Sequence, residues 1–437
     1  MILVYSSNIT SRTKYIFNVV FYDIIDVKYK LTNIENEYLS FEGPKINYSN
    51  KHIKEDEIRI CPCGLLNENG INEQEIKITK WGDIPCFFET RRELEIPYDI
   101  FSASFYMISR YEEYLPHIKD RHNRFQAEDT IAFKGDFLQK PVVNIWIEKF
   151  KTIINKHYPD YKFPEKKFTV IPTFDIDIVY NYLGKDFFRT FGGYMRDLLN
   201  LEFDKIIDRT KVLFRLKKDQ YDVYDYLKEI KKFYKLDLIF FILFSDFGPY
   251  DKNISVNNRN FKLLIKHLED FADIGIHPSY QSNSNFNLIK KEKDNLSNII
   301  NYEITKSRQH FLKLTLPETY RTLIELDITD DYTMGFASLP GFRAGLCTSF
   351  YFYDLDSEYE TSLKVHPFAF MEGTFREYLC MSPEETIPMV YEIIDEVKKV
   401  NGDFLSLWHN ASISDYDVWK GWKNVFEKTL EYAFKNK

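Results

Sequence analysis

The chain has 437 residues, 44% of them hydrophobic and 28% charged, which is typical of a globular protein long enough for two domains. Its net charge of −8 argues against a nucleic-acid-binding protein, which usually carries a basic face. The sequence has no apolar run long enough to predict a transmembrane helix. The start of the chain lacks the basic region of a signal peptide. Five scattered cysteines favour reduced thiols. We therefore expect a cytoplasmic location and make no prediction of oligomeric state.

Two regions of the chain differ in their pattern. Residues 1–160 mix short strands and polar loops with one apolar helix at about 101–114, which predicts a smaller α+β domain. A polar, proline-containing linker follows at 158–165. Residues 166–437 then alternate strands with helices, as parallel βα units do.

Seven strands are predicted in the second region. They lie at residues 167–174, 236–245, 273–277, 308–314, 327–336, 363–370 and 403–408. The best-marked helix begins at the capping box Ser382-Pro383-Glu384-Glu385 and ends at Asn401-Gly402. This pattern indicates an α/β fold, and it leaves both a barrel and an open doubly wound sheet possible.

The first of these strands ends in two aspartates. The apolar run 168–172 predicts a buried strand, and Asp175 and Asp177 follow it, one residue apart. Alternate residues of a strand point to the same side, so both carboxylates are predicted to face one cavity. A metal ion would hold both ionised, with one carboxylate as ligand and the other as base. A turn with two solvated aspartates is the alternative.

Other polar residues recur near the ends of the predicted strands. They are His277 after the third strand, Arg308 and His310 at the fourth, Arg343 and Glu372 around the sixth, and His409 after the last. A parallel barrel would bring these side chains to one edge. Because carboxylate and imidazole together bind Zn²⁺ and related cations, the residue types favour a metal-assisted hydrolase.

The order of these motifs resembles the polysaccharide deacetylase family (NodB homology domain, carbohydrate esterase family 4). The resemblance rests on Thr173-Phe174-Asp175-Ile176-Asp177, Gly275-Ile276-His277, an arginine motif and Leu407-Trp408-His409, and it covers residues 166–430. Residues 1–160 resemble an N-terminal domain that accompanies a bacterial branch of these deacetylases. For that domain the resemblance implies no activity.

The resemblance implies a distorted (β/α)7 barrel that removes an acetyl group from an N- or O-acetylated sugar of a bacterial polysaccharide or its precursor. It implies a divalent cation, with Zn²⁺ favoured and Co²⁺ or Ni²⁺ as alternatives. Carried over by position, it implies Asp175 as general base, Asp177 and His277 as metal ligands, His409 as general acid, and Arg308 or Arg343 as the arginine that orients the base.

Two positions depart from the family pattern. Ile176 separates two aspartates that are usually adjacent, and Gln281 stands where a second ligand histidine is usual. We predict that His310 replaces the missing ligand, with Gln281, Ser282 or an additional water as alternatives. Glu372 is predicted either to bind an arginine or histidine of the site or to be a plain surface carboxylate.

Two further hypotheses remain open. The missing ligand favours a degenerate, non-catalytic barrel that acts as a glycan-binding or scaffolding protein. A hydrolase of phosphate esters or cyclic amides is less favoured than either this barrel or the deacetylase.

An insertion at 185–218 ends in the basic run 209–218. This run predicts either a solvated helix face or a cover over the cavity that meets an anionic substrate.

Overall fold

The structure is a computed structural model that describes residues 1–435. Its first part begins with four parallel strands: β1 (Ile2–Ser6), β2 (Tyr29–Thr32), β3 (Lys45–Tyr48) and β4 (Ile58–Ile60). Their order is β2-β1-β3-β4. The apolar strand β1 is buried along its whole length, which explains its central position. A separate antiparallel hairpin pairs β5 (Thr79–Trp81) with β6 (Ile84–Cys86).

Five α-helices complete this part of the chain. They are α1 (Ser11–Asn18), α2 (Glu35–Ser40), α3 (Ile100–Ile108), α4 (Ile131–Lys134) and α5 (Val142–His157). The helix predicted at 101–114 is thus shorter than expected. It begins where the Asp99 carboxylate accepts a hydrogen bond from the Ser102 N–H, 3.0 Å away. It ends before Arg110, whose left-handed φ of 55° breaks the helix.

In the residues that the structure describes, nine strands form the sheet of the second part. They are β7 (Thr169–Ile176), β8 (Ile239–Ile242), β9 (Asp273–Ile276), β10 (Lys306–Ser307), β11 (Asp330–Asp331), β12 (Phe350–Asp354), β13 (Tyr359–Val365), β14 (Phe370–Met371) and β15 (Asp403–His409). Their order is β12-β13-β11-β10-β9-β8-β7-β15-β14, and every pair is parallel except β12 with β13. The α/β class predicted from sequence is confirmed.

Nine α-helices lie in the described residues of this part. They are α6 (Phe187–Leu199), α7 (Phe203–Leu213), α8 (Tyr224–Tyr234), α9 (Arg259–Glu269), α10 (Phe286–Ile300), α11 (Glu318–Glu325), α12 (Pro383–Lys399), α13 (Asn410–Ile413) and α14 (Trp422–Phe434). The capping box predicted at Ser382 is present at the start of α12. Within residues 1–435, no helix has the length and apolar character needed to cross a bilayer.

The sheet does not close into the expected (β/α)7 barrel. In the described residues its edge strands β12 and β14 do not pair with each other. Isolated hydrogen bonds replace a closing ladder, such as the Phe368 N–H donating to the Met334 carbonyl at 3.1 Å. Because β10, β11 and β14 have only two residues each, they cannot form a continuous ladder. Phe241, Tyr332 and Leu407 nevertheless share one apolar cluster, so the sheet curves around a packed interior.

The two parts of the chain pack closely against each other. Arg12 of α1 forms a 2.5 Å ion pair with Glu358, in the turn between β12 and β13. The Tyr15 hydroxyl donates a 2.7 Å hydrogen bond to the Tyr351 carbonyl. One hydrophobic core runs from Ile2 to Ala433. The division into domains 1–160 and 166–437 therefore stays a prediction.

Candidate active site

The candidate site lies at the carboxyl ends of neighbouring parallel strands. Asp175 is the penultimate residue of β7, and His409, the last residue of β15, is its register partner. His277 directly follows β9. A strand was predicted at 308–314, but the observed strand β10 lies earlier and ends at Ser307. Arg308 and His310 therefore follow the strand instead of beginning it. This shift places all of these side chains at the same edge of the sheet.

Asp175 forms a buried ion pair with Arg308. Arg308 Nη1 donates to Asp175 Oδ1 at 2.8 Å, and both side chains are buried. The Arg308 guanidinium also donates from Nε to the Tyr332 carbonyl at 2.9 Å, and it lies 4.5 Å from the ring centre of Phe241. These contacts fix the arginine, so the carboxylate of Asp175 is held in one orientation.

Asp177, His277 and His310 form a group that can hold a metal ion, since one ligand atom from each lies within 4.8 Å of the others. His277 Nε2 lies 3.2 Å from Asp177 Oδ1, and His310 Nε2 lies 3.6 Å from Asp177 Oδ2. The structure thus brings together the three predicted ligands. Gln281, at the position where the resemblance places a ligand histidine, is exposed.

The surroundings of these ligands fit a divalent cation. Asp177 Oδ1 is buried and accepts no hydrogen bond from the described residues. The Nδ1 atoms of the two histidines face acceptors, the Arg308 carbonyl at 2.6 Å from His277 and Asp251 Oδ1 at 2.9 Å from His310. Such partners orient the opposite nitrogen, Nε2, toward a metal. Two imidazoles and one carboxylate are a common ligand set for Zn²⁺ and neighbouring cations, with positions left open for water or substrate.

His409 is held by Glu372. The Glu372 Oε1 atom accepts both the His409 Nδ1–H at 2.9 Å and the His409 backbone N–H at 2.8 Å. His409 Nε2 points toward the ligand group, 3.5 Å from Asp177 Oδ2. Glu372 therefore contacts a histidine of the site, which was one of its two predicted roles.

The charges of the site shift the pKa values of its histidines. Burial alone would lower the pKa of His409, but the negative charge of Glu372 and its hydrogen bond outweigh burial and raise the pKa to about 10. Burial likewise opposes protonation of His310, and the charge of Asp177 raises its pKa to about 9. Burial would raise the pKa of Asp177, but His310 and His277 hold it well below its ordinary value.

A cavity of about 300 Å³ opens over these residues. Its wall includes Asp175, Asp177, His277, His310 and His409, together with apolar and aromatic side chains such as Tyr221, Phe311, Leu407 and Trp419. Arg124, from the first part of the chain, also lines it. Arg124 Nη1 donates to the Phe311 carbonyl at 2.8 Å and Nη2 to the Tyr378 hydroxyl at 3.1 Å.

Two sequence expectations concern residues that lie outside this cavity wall. The guanidinium of Arg343 binds Glu113, with Nη2 2.6 Å from Oε2, and donates from Nη1 to the Gly335 carbonyl at 3.1 Å. Arg308, and not Arg343, therefore contacts Asp175. No residue of the insertion 185–218 lines the cavity either, so the structure does not support a cover over it.

Two residues near the site were not identified from the sequence. Asp251 lies in the loop after β8, and Arg124 lies in a loop of the first part of the chain. Asp251 had one signal, its position beyond the carboxyl end of a predicted strand. Arg124 had none, because its contact with the second part of the chain depends on tertiary packing.

Comparisons with known proteins give a partial family match. Residues 2–159, fewer than half of the chain, match the profile of DUF7033, which is described as a family of unknown function. A search of curated proteins finds no match.

Among solved structures, the chain is similar to a polysaccharide deacetylase from Mycobacterium smegmatis with 12% identity and a TM-score of 0.41, covering 63% of this chain and 87% of that one. It is also similar to the polysaccharide deacetylase Bc1974 from Bacillus cereus with 13% identity and a TM-score of 0.28, covering 61% and 86%. Neither TM-score reaches 0.5, so these likenesses do not establish a shared fold.

Proposed function

We propose that this protein is a metal-dependent deacetylase that hydrolyses an acetyl group from an N- or O-acetylated sugar of a bacterial polysaccharide or its precursor. One observation carries the proposal: a three-residue ligand group lies beside a fixed carboxylate and a fixed imidazole at one cavity. The motif resemblance described above supports the choice of acetylated sugars. Zn²⁺ is the favoured metal, and Co²⁺ and Ni²⁺ are alternatives.

Each side chain has a role that fits its contacts. Asp177, His277 and His310 would hold a divalent cation, which when bound supplies a Lewis acid and makes water more acidic. Asp175, held by its 2.8 Å contact with Arg308, accepts the proton of the attacking water. His409, oriented by Glu372, donates a proton to the leaving nitrogen or oxygen as the carbon–heteroatom bond breaks. The products are acetate and the deacetylated sugar.

The non-catalytic alternative depended on the missing ligand at position 281. His310 Nε2 lies 3.6 Å from Asp177 Oδ2 and offers a third ligand atom, so we favour the deacetylase over the non-catalytic protein. Acetate release from a panel of acetylated glycans, measured with added Zn²⁺, Co²⁺ or Ni²⁺, tests this preference. A protein that purifies without metal, binds glycans and releases no acetate would favour the alternative.

We expect Asp175→Asn to lower turnover by about 100-fold or more, since a neutral amide cannot accept the proton of water. The Asn side chain still accepts a hydrogen bond from Arg308, so the fold should persist. The measurement is kcat for acetate release, with metal content and circular dichroism checked in parallel. Asp273→Asn, at the opposite end of the sheet, is the matched control. Near-normal kcat in Asp175→Asn would remove Asp175 from this mechanism.

We expect Asp251→Asn to weaken metal binding by about 10- to 100-fold, because the residue orients a ligand through a hydrogen bond. Asp251 Oδ1 accepts from His310 Nδ1 at 2.9 Å and from the Tyr280 N–H at 3.0 Å. Competition with a chelator of known affinity measures the change. Asp246→Asn, an exposed residue of the same loop, should leave the affinity unaltered. Equal affinities in both variants would contradict the assigned role.

A further inference from the structure

The insertion forms a helical hairpin, residues 187–218, that exposes an unusual number of large apolar side chains. Phe187, Phe188, Leu199, Leu201, Phe214 and Leu216 are each at least 72% exposed. Isolated exposed apolar residues are common on soluble proteins, but a contiguous set marks an interaction site. On α6, residues 188, 191, 195 and 199 recur at helical spacing and are all exposed, so they share one outward face.

The inward side of the hairpin buries two charged residues, Asp197 and Arg209, and one apolar residue, Val212. An ordinary surface helix buries mainly apolar residues. Asp197 of α6 and Arg209 of α7 are buried and form a 2.5 Å ion pair. The hydroxyls of Tyr194 and Thr210 are hydrogen-bonded at 2.9 Å. Gly193 leaves room for the Arg209 guanidinium, which an added Cβ would meet at 2.4 Å. The two helices therefore hold each other through polar contacts, and their apolar face is left without a covering element.

Polar contacts also attach the hairpin to the rest of the protein. Arg189 donates to the carbonyls of Lys252 and Asn253 at 2.8 and 3.0 Å. Lys205 forms a 2.7 Å ion pair with Asp417. The hairpin thus stays in place without burying its apolar face.

The charge of the hairpin indicates what covers that face. Residues 187–218 hold eight Lys and Arg against four Asp and Glu, a net charge of +4 in a chain whose total is −8. At its end, the exposed cations Lys211 and Arg215 alternate with the exposed apolar side chains of Phe214 and Leu216. Apolar side chains beside exposed cations are typical of helices that lie in the headgroup region of an anionic bilayer.

We propose that the hairpin 187–218 is a docking surface for an anionic lipid membrane. Its apolar face enters the boundary between headgroups and acyl chains, and its cations bind lipid phosphates. A second copy of the chain fits less well, because a two-fold interface would place two segments of net charge +4 against each other. This proposal does not depend on the deacetylase activity.

The test is co-flotation of the full chain with vesicles, either of phosphatidylcholine alone or of phosphatidylcholine with phosphatidylglycerol. We expect binding to the anionic vesicles and weaker binding to the neutral ones. The triple variant Phe188→Ser, Leu199→Ser, Phe214→Ser should bind anionic vesicles at least about tenfold less tightly, since it removes apolar contacts with the bilayer. Lys211→Glu with Arg215→Glu should weaken binding by about tenfold or more, and salt should do the same.

Matched controls separate these effects from general surface change. Ile118→Ser with Phe233→Ser removes exposed apolar side chains elsewhere, and Lys290→Glu with Lys291→Glu reverses exposed charges on α10. Both should bind like the unmodified chain, and circular dichroism checks that every variant is folded. Absence of flotation with either vesicle, or equal binding by the hairpin variants and the controls, would overturn the proposal. So would sedimentation showing a stable dimer that only the triple variant loses.

Discussion

Replacing His310 with alanine is expected to weaken metal binding by more than about 100-fold, the upper end of what loss of an outer-shell partner costs. His310 is one of three donors in the ligand group, so its loss leaves Asp177 and His277 alone. Chelator competition measures the affinity, and elemental analysis of the purified variant measures the metal content. Acetate release should fall with the metal content.

Gln281→Ala is the matched control for this prediction. Position 281 is where the resemblance places the usual ligand, yet its side chain is exposed. The control should keep the metal and the activity of the unmodified protein. If Gln281→Ala lost the metal and His310→Ala kept it, the ligand assignment would be reversed.

Glu113→Ala should lower the free energy of unfolding by about 3–5 kcal/mol, the cost of removing one partner from a buried ion pair. The Glu113 carboxylate accepts from Arg110 Nε at 2.7 Å and from Arg343 Nε at 2.8 Å and Nη2 at 2.6 Å. Burial would raise the pKa of Glu113, but the two guanidinium groups lower it to about 2, so the carboxylate is charged. Its removal leaves buried positive charge uncompensated. Urea unfolding followed by circular dichroism measures the effect.

Glu95→Ala gives the comparison for a surface ion pair. Glu95 binds Lys156 at 2.7 Å in an exposed position, and such pairs contribute about 0–1 kcal/mol. A loss below about 1 kcal/mol in Glu113→Ala as well would show that the buried network is not structurally important. Because Arg343 belongs to the second part of the chain and Glu113 to the first, a cooperative loss would also show that the two parts unfold together.

The positions of Asp175 and Asp177 could be predicted because an apolar strand has a clear pattern and alternate residues share a side. His310 was named as a candidate ligand and does lie beside Asp177 and His277, although its strand was misplaced. The actual strand β10 has only two residues, too few for a sequence pattern to mark its end. A closed barrel was expected, but the edge strands of the described sheet do not pair with each other. Local sequence does not encode such pairing, so it could not be predicted.

Arg343 illustrates a different limit of sequence reasoning. Its sequence Gly341-Phe342-Arg343 resembles the family motif for an arginine beside the proposed base, but its partner Glu113 lies 230 positions earlier in the chain. Only the packing of the first part against the second decides which of Arg308 and Arg343 contacts Asp175. Asp251 was missed although it follows a predicted strand, because a loop gives no periodic signal.

The position of Arg124 has a consequence for how this chain changes over time. The residue belongs to the first part of the chain, yet it lines the cavity and bonds to Phe311 and Tyr378 of the second part. Exchange of the N-terminal part for an unrelated one would therefore remove a piece of the cavity wall. We expect the two parts to be inherited together, with substitutions around Tyr378 tolerated only when they suit the residue at position 124.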